Sequence, residues 1–334
     1  MSTYTTQEIE NWFGALGRVT VLVIGDFMLD RYIYGRVERI SPEAPVPVVN
    51  VSQRESRPGG AGNVLLNVHA LGARAIPLSI IGLDEAGDEL LKQFSAQQID
   101  TTYIQRYPGI PTITKTRILA GQHQMLRIDE EDLACISPAM EQQLIASVEQ
   151  LLRTEKIDAV LFEDYDKGVI GPALIEATVK AAAERNVPVC VDPKKKNFAA
   201  YKGVTLFKPN LKELREGLNL EMRDENAVEE ADRQLRSLLG HTYTLATLSE
   251  KGIYFSDTEH AYRRPSIVRS VADVSGAGDS VIATATCFLA AGAPPLLAAE
   301  LANLSGGIVC EFPGVVPVDK TRLKTEAFHY LCKK

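Results

Sequence analysis

The sequence predicts an α/β protein with a mostly parallel central sheet and helices on both of its faces. Three observations point there. Continuous apolar runs, led by Val-Thr-Val-Leu-Val-Ile-Gly at 19–25, recur along the chain, as strands buried on both faces require. Stretches with helical spacing of apolar residues lie between them, which implies right-handed crossovers joining parallel strands. Polar residues collect where the apolar runs end: Asp26 and Asp30, Glu163 and Asp164, Asp192 and Lys194, Asn210, Ser249. Open parallel sheets bind ligands outside the carboxyl ends of their strands.

Taken in order, strands are expected at 19–25, 75–81, 159–162, 187–191, 204–207 and 243–247. Helices are expected at 61–71, 88–97, 139–152, 172–184 and 225–239, with a further apolar helix through 281–289. The N-terminal 1–17 is polar with one amphipathic turn and has no signal-like apolar block. Residues 31–51 and 111–128 break the alternation. Both are strand-like, and neither is expected to be followed directly by a crossover helix, so they read as a small accessory sheet. Pro42, Pro45 and Pro47 suit an edge or a bend. An accessory sheet with one apolar face needs a cover, which is the substrate cleft, a second subunit, or both.

A chain of 334 residues with 45% hydrophobic and 24% charged residues has the composition of a soluble globular protein with a full core. The net charge of −7 argues against a general nucleic-acid or anionic-membrane binder. A small anionic substrate then needs a local basic pocket. The longest apolar stretch, near 281–293, falls short of the ~20 residues that span a bilayer, so no membrane segment is expected. Five scattered cysteines, Cys135, Cys190, Cys287, Cys310 and Cys332, show no metal-like pairing. Their odd number and the lack of a signal favour reduced thiols and a cytoplasmic location.

The most informative segment is Ala-Asp-Val-Ser-Gly-Ala-Gly-Asp-Ser at 272–280, which opens an apolar helix. Gly276 and Gly278 leave peptide N–H groups uncovered where the helix dipole favours an anion. Asp279 places a carboxylate in that anion site. One reading is a base that takes a proton from a hydroxyl attacking a phosphate; the other is an ordinary acidic first turn. A second glycine cluster, Arg-Pro-Gly-Gly-Ala-Gly-Asn at 57–63, leads into another helix. It lacks the dinucleotide fingerprint, and no Gly-Lys-Ser/Thr phosphate loop occurs anywhere. Taken alone, it reads as a turn into a helix.

In order along the chain come Gly-Asp with Asp30, Gly-Gly-Ala-Gly-Asn, Lys-Pro-Asn-Leu-Lys-Glu (208–213), Thr-Leu-Ser-Glu-Lys-Gly (247–252) and Asp-Val-Ser-Gly-Ala-Gly-Asp. This set resembles the ribokinase-like (PfkB) carbohydrate kinases over essentially the whole chain. GDFMLDRYIYGRVERISPEAPVPVV at 25–49, with RPGGAGN, ITKTR, DYDKG and VDPK, is similar to the heptose-7-phosphate kinases that serve ADP-heptose synthesis.

The resemblance implies a three-layer α/β/α sandwich with a small β-sheet lid, spanning 1–334 as one kinase domain whose lid comes from about 31–51 and 111–128. It implies that Asp279 is the general base and that backbone N–H groups at Gly276, Ala277 and Gly278 form the anion hole. Asn210 and Glu213 match an Asn-x-x-Glu motif that positions Mg2+, through water, and the nucleotide phosphates. Ser249, Lys251 and Gly252 fall at the nucleotide-binding turn, and Asn303 on the helix flanking the base. Without the resemblance, Glu213 reads as a surface helix acid and Asn303 as a capping or solvent-facing amide.

On the sugar side the resemblance implies Asp30, Gly59, Gly60 and Asn63, with Gln124 and Arg127 on a strand closing over the pocket. Candidate cations for a substrate phosphate are Arg127, Lys115, Lys167 and Lys194; the run 194–196 is otherwise an ordinary solvated loop. Asp273 and Ser275 lie where relatives hold a monovalent cation, so K+ is a further candidate beside Mg2+ and ATP. Glu163 stands where similar kinases often carry a small residue. No His-x-Gly-His nucleotidyltransferase signature appears, and a stand-alone kinase is expected. His69, His123, His241, His260 and His329 show no ligand spacing.

The reaction so implied is ATP-dependent phosphorylation of D-glycero-D-manno-heptose 7-phosphate at its anomeric hydroxyl, by a homodimer paired through the lid. The alternatives are a kinase for another phosphosugar or a nucleoside, and a catalytically silent sugar sensor.

Overall fold

The computed structural model describes residues 4–121, 123–132, 136–220 and 227–332. Cys135 and the first two residues of the helix expected at 225–239 lie outside them. The strands are β1 (Thr20–Gly25), β2 (Phe27–Ile40), β3 (Pro47–Gly60), β4 (Arg74–Gly82), β5 (Ile104–Tyr107), β6 (Ile113–Ala120), β7 (His123–Glu130), β8 (Ala159–Glu163), β9 (Val189–Asp192), β10 (Leu206–Phe207), β11 (Tyr243–Thr247), β12 (Ile253–Ser256) and β13 (Ala261–Arg264). The helices are α1 (Thr6–Ala15), α2 (Ala61–Ala70), α3 (Glu85–Ala96), α4 (Pro138–Thr154), α5 (Pro172–Ala183), α6 (Leu211–Leu218), α7 (Ala227–Leu239), α8 (Ala277–Ala290), α9 (Pro295–Val309) and α10 (Lys320–Leu331).

Nine strands form one sheet in the order β13-β12-β11-β10-β9-β8-β1-β4-β5. Strands β11 through β5 in that order run parallel, while β12 and β13 join antiparallel at one edge. Successive residues of β1 feed opposite cores. Val21 and Val23 pack with α2, α8 and α9, whereas Leu22 and Ile24 pack with α4, α5 and α7. Strand side chains alternate between faces, so a strand covered on both sides must be apolar at every position. That is the origin of the 19–25 run and of the three layers.

The accessory sheet has the order β3-β2-β6-β7, with β2 and β6 parallel and the outer pairs antiparallel. Its strands reach further into the body than expected. β2 begins at Phe27 and β3 continues to Gly60, which is itself the N-cap of α2. The expectation that no helix follows this segment directly is therefore corrected. Gly60 makes the junction because its φ of 57° suits glycine and a Cβ there would meet the Asp26 carbonyl oxygen at 2.6 Å. The apolar residues of the lid's outer parts, Ile40, Val46, Val51, Met125, Leu126 and Ile128, are exposed. No helix among the described residues is long and apolar enough to cross a membrane.

Candidate active site

Strand register assembles the polar centre. Gly25 pairs with Glu163, and Glu163 pairs with Asp192, so the carboxyl ends of β1, β8 and β9 stand side by side. Lys208 follows β10, its N–H bonded to the Val191 carbonyl, and its Nζ reaches Asp192 Oδ2 at 2.8 Å. Above these ends α8 begins. Gly276, at φ 77°, caps it, and a Cβ there would meet Asn63 Nδ2 at 2.8 Å. Gly278 faces the cluster from the first turn, where an added Cβ would lie 3.5 Å from Lys208 Nζ.

Asp279 sits buried in that turn. Asn63 Nδ2 donates to its Oδ2 at 2.7 Å, and the Tyr165 hydroxyl donates to its Oδ1 at 2.9 Å. Burial pushes the Asp279 carboxyl above the ordinary range and Asp192 adds repulsion, while the bonds from Asn63 and Tyr165 and the Lys208 charge oppose this. Such a group is a carboxylate held by two fixed donors with its strength as a base increased. Asn63 is fixed in turn. Asn67 donates to its carbonyl at 2.9 Å and to Oδ1 at 3.2 Å, and Asn67 Oδ1 accepts from Ser280 and from the Val318 N–H.

Asn210 and Glu213 form a capping box at the start of α6. Asn210 Oδ1 accepts from the Glu213 N–H at 2.9 Å and Glu213 Oε2 accepts from the Asn210 N–H at 2.8 Å. Glu213 is buried rather than a surface acid, and its other oxygen pairs with Lys194. Neighbouring carboxylates outweigh burial and hold the Lys194 and Lys208 ammonium groups charged. A cleft of about 970 Å³ opens here, lined by Asn210, Glu213, Ser249, Gly252, Gly276, Ala277, Gly278, Asp279 and Asn303 together with Lys194 and Lys208. Lys251 is exposed at the same turn and does not line it. Asn303 Nδ2 donates to the Pro265 carbonyl at 2.9 Å, fixing the loop on the cleft's far wall.

The residues expected on the sugar side stand on the lid strands. Asp30, buried on β2, pairs with Arg117 of β6. Gly59 is required beside it, since a Cβ there would fall 2.0 Å from Asp30 Oδ2. Gln124 and Arg127 are not brought to this point. Arg127 stands opposite Arg117 in the β6–β7 ladder, one strand further out, and pairs with Asp129 at 2.8 Å. Both residues are exposed on the outer strand. The breadth of one strand separates them from Asp30, and Arg117, within the ITKTR segment, is the arginine that reaches it. Lys167 Nζ pairs with Glu131 at 2.7 Å. Lys115 and Lys194 place their Nζ atoms 5.6 and 5.2 Å from the Tyr165 ring centroid. Asp273 accepts from the Ser275 N–H at 2.9 Å and the Gly314 N–H at 3.0 Å, so it ties the segment before α8 to the chain after α9.

Tyr165, Lys208 and Arg117 are the residues that sequence reasoning missed as site members. The signals lay in DYDKG, in KPNLKE and in ITKTR, each of which had been singled out only as a motif. Asp192 is visible in the sequence only as a polar strand end, and Glu163 as a departure from similar kinases that bears on sugar contacts.

A parallel sheet with its ligand cleft at the strand ends and a carboxylate at a glycine-led helix start is the arrangement of a sugar kinase. Residues 19–321 match the pfkB family carbohydrate kinases, and the chain belongs to that family, whose members use ATP, typically with Mg2+. It is 42% identical over 304 residues to the bifunctional protein HldE of Koribacter versatilis, covering 91% of this chain and 62% of that protein. It is 42% identical over 301 residues to the bifunctional protein HldE of Trichlorobacter lovleyi, covering 90% and 61%. The chain thus spans a little over three fifths of the length of these relatives. Its fold matches phosphofructokinase-2 from Escherichia coli in complex with potassium, with a TM-score of 0.76 at 18% identity over 94% of this chain and 98% of that one. It also matches Arabidopsis thaliana ribokinase complexed with ribose and ATP, with a TM-score of 0.72 at 16% identity over 92% and 98%.

Proposed function

We propose that the chain phosphorylates D-glycero-D-manno-heptose 7-phosphate at its anomeric hydroxyl, using ATP, to give the 1,7-bisphosphate in ADP-heptose synthesis. The observation that carries the phosphoryl-transfer chemistry is Asp279, buried at the start of α8 with both oxygens held by donors. Support for the sugar comes from the 25–49 segment and from the relatives named bifunctional protein HldE.

In this reading Asp279 takes the proton of the C1 hydroxyl as that oxygen attacks the γ-phosphate. Backbone N–H groups at 276–278, with Lys208 behind them, receive the charge that develops on the transferred group. Asp30, fixed by Arg117, accepts hydrogen bonds from sugar hydroxyls, with Gly59, Gly60 and Asn63 lining the same pocket. Lys115, Lys167 and Lys194 are the cations within reach of a substrate phosphate. Asn210, Ser249, Gly252 and Asn303 hold the nucleotide.

Mg2+ supplies charge neutralisation between the nucleotide phosphates. Glu213 and Asp192 fit it, because Asp192 Oδ1 is buried without a hydrogen-bond donor among the described residues. Asp273 and Ser275 are proposed to border a K+ site, as the potassium complex of phosphofructokinase-2 invites. The exposed apolar residues of the lid support a homodimer through that sheet, and a cytoplasmic enzyme follows from a phosphosugar substrate.

The test is a purified-protein screen of sugars with coupled ADP detection. Heptose 7-phosphate should give the highest kcat/KM, above sedoheptulose 7-phosphate and fructose 6-phosphate. A higher value for either control overturns the substrate assignment, and sugar binding without ADP release overturns the kinase reading.

A further inference from the structure

Asp26 follows β1 directly and is closed to solvent. The pairing of Gly25 with Glu163 sets it beside the loop that leaves β8. Its Oδ2 accepts the N–H groups of Tyr165 at 2.9 Å and Lys167 at 3.1 Å, and its Oδ1 accepts the Val169 N–H at 3.1 Å. The residues between these donors have positive φ, 56° at Asp166 and 105° at Gly168. Such alternation turns successive N–H groups into one concavity that takes an anion, and here the anion is a side chain of the protein. Burial, then the Asp164 charge, raise the Asp26 pKa to about 6 against those three bonds, so at pH 8 the group is a carboxylate.

The ends of the loop have anchors of their own. Asp164 accepts from Asn197, Tyr201 and the Asp166 N–H, and Val169 and Ile170 are buried in the core that includes α4 and α5. Between those ends Asp26 holds the backbone, and this stretch carries Tyr165 to Asp279 and Lys167 to Glu131, just past β7. The Asp26 carbonyl also accepts the Ala61 N–H at 3.1 Å, where α2 starts, two residues before Asn63. One residue therefore seats both side chains that donate to Asp279: Asn63 through its backbone and Tyr165 through its carboxylate.

We infer that Asp26 is a positioning residue for the reaction, its carboxylate holding the 165–169 loop so that the Tyr165 hydroxyl meets Asp279. This role rests on Asp279 as the base of the proposed kinase, whichever sugar is the acceptor. Asp26→Asn has one accepting oxygen and turns an NH2 towards the loop's N–H groups, so it cannot keep all three bonds.

Hydrogen–deuterium exchange at pH 8 should show the amides of 164–170 losing protection in Asp26→Asn, with the rest of the chain as in the wild type. With ATP and D-glycero-D-manno-heptose 7-phosphate, the acid limb of kcat/KM should move to higher pH by roughly half a unit or more, as in Tyr165→Phe. The double variant should coincide with the single ones, because both remove the same hydrogen bond. Loss of a nearby negative charge alone would move the limb to lower pH. Asp192, Lys208 and Glu163 also face this carboxylate group and are the same in every variant. Gly168→Ala, which disfavours the loop's positive φ without touching Asp26, should shift the limb in the same direction. Unchanged exchange at 164–170 in Asp26→Asn, a limb that stays or moves to lower pH, or shifts that add in the double variant would overturn the inference alone. No turnover by the wild type would overturn the proposed function, and the inference with it.

Discussion

The hydroxyl of Tyr165 donates to Oδ1 of Asp279 at 2.9 Å, joining the loop after β8 to the first turn of α8. The bond favours the ionised carboxylate and so pulls its pKa down against burial. Tyr165→Phe removes that contribution and lets the Asp279 pKa rise. A base must be ionised to work, so the acid limb of the kcat/KM profile should move to higher pH. A pH–rate profile that superimposes on the wild type would show that Tyr165 does not act on the base.

Asp279→Asn keeps the shape of the site and removes the base. Turnover should fall by about 10²–10⁴, with ATP affinity, measured calorimetrically, within about twofold of the wild type because the anion hole is backbone. Retention of near-normal turnover would exclude Asp279 as the base.

Asn67 holds together α2, α8 and the segment before α10 through four hydrogen bonds in a site closed to solvent. Asn67→Leu leaves the Val318 N–H and the Ser280 hydroxyl without their acceptor. Stability in urea should drop by on the order of 3 kcal/mol. A change under about 0.5 kcal/mol would mean that neighbouring groups or water replace the amide fully.

His241 is buried, with Nε2 at 2.6 Å from Thr244 Oγ1 and no partner for Nδ1 among the described residues. Burial, then the Arg236 charge, push its pKa from 6.5 down to about 4, with Asp232 opposing. The unfolded chain therefore takes up the proton first as pH falls. The contribution of neutral His241 is complete above about pH 6.5 and is lost towards pH 4, a difference of about 3 kcal/mol. His241→Gln should flatten the fall in stability between pH 7 and 4.5, read from urea midpoints. Parallel slopes for the two proteins would contradict this.

The central sheet was legible because its strands carry their signal locally. β1 needs apolar residues on both faces, and the 19–25 run displays them without reference to any partner. β5 and β13 were missed because they are four-residue edge strands whose half-buried sequences, such as Ala-Tyr-Arg-Arg, have little apolar content, and β12, though buried, is only four residues long. α9 went unassigned because its apolar residues surround most of the helix, which erases the helical stripe. In the site, Asp279 and Asn63 were visible through their glycine clusters. Their hydrogen bond, spanning 216 residues of sequence, was not, and neither was the pairing of Asp30 with Arg117 across 87. That Arg117 rather than Arg127 reaches Asp30 follows from the register of β6 with β2, which the sequence does not display.

The strand β2 leaves the body at Phe27 and carries Asp30 into the four-stranded sheet, whereas Asp279 belongs to a helix sealed between the large sheet and α9. In the proposed reaction the two carboxylates thus rest on separate sheets, linked where β3 of the small sheet runs into α2, whose Asn63 bonds Asp279. Exchange of residues on the small sheet can retune which hydroxyl is presented while leaving the phosphate end intact. On the proposed assignment, a lineage or an engineer can change acceptors by editing β2, β3 and β6 while α8 stays as it is.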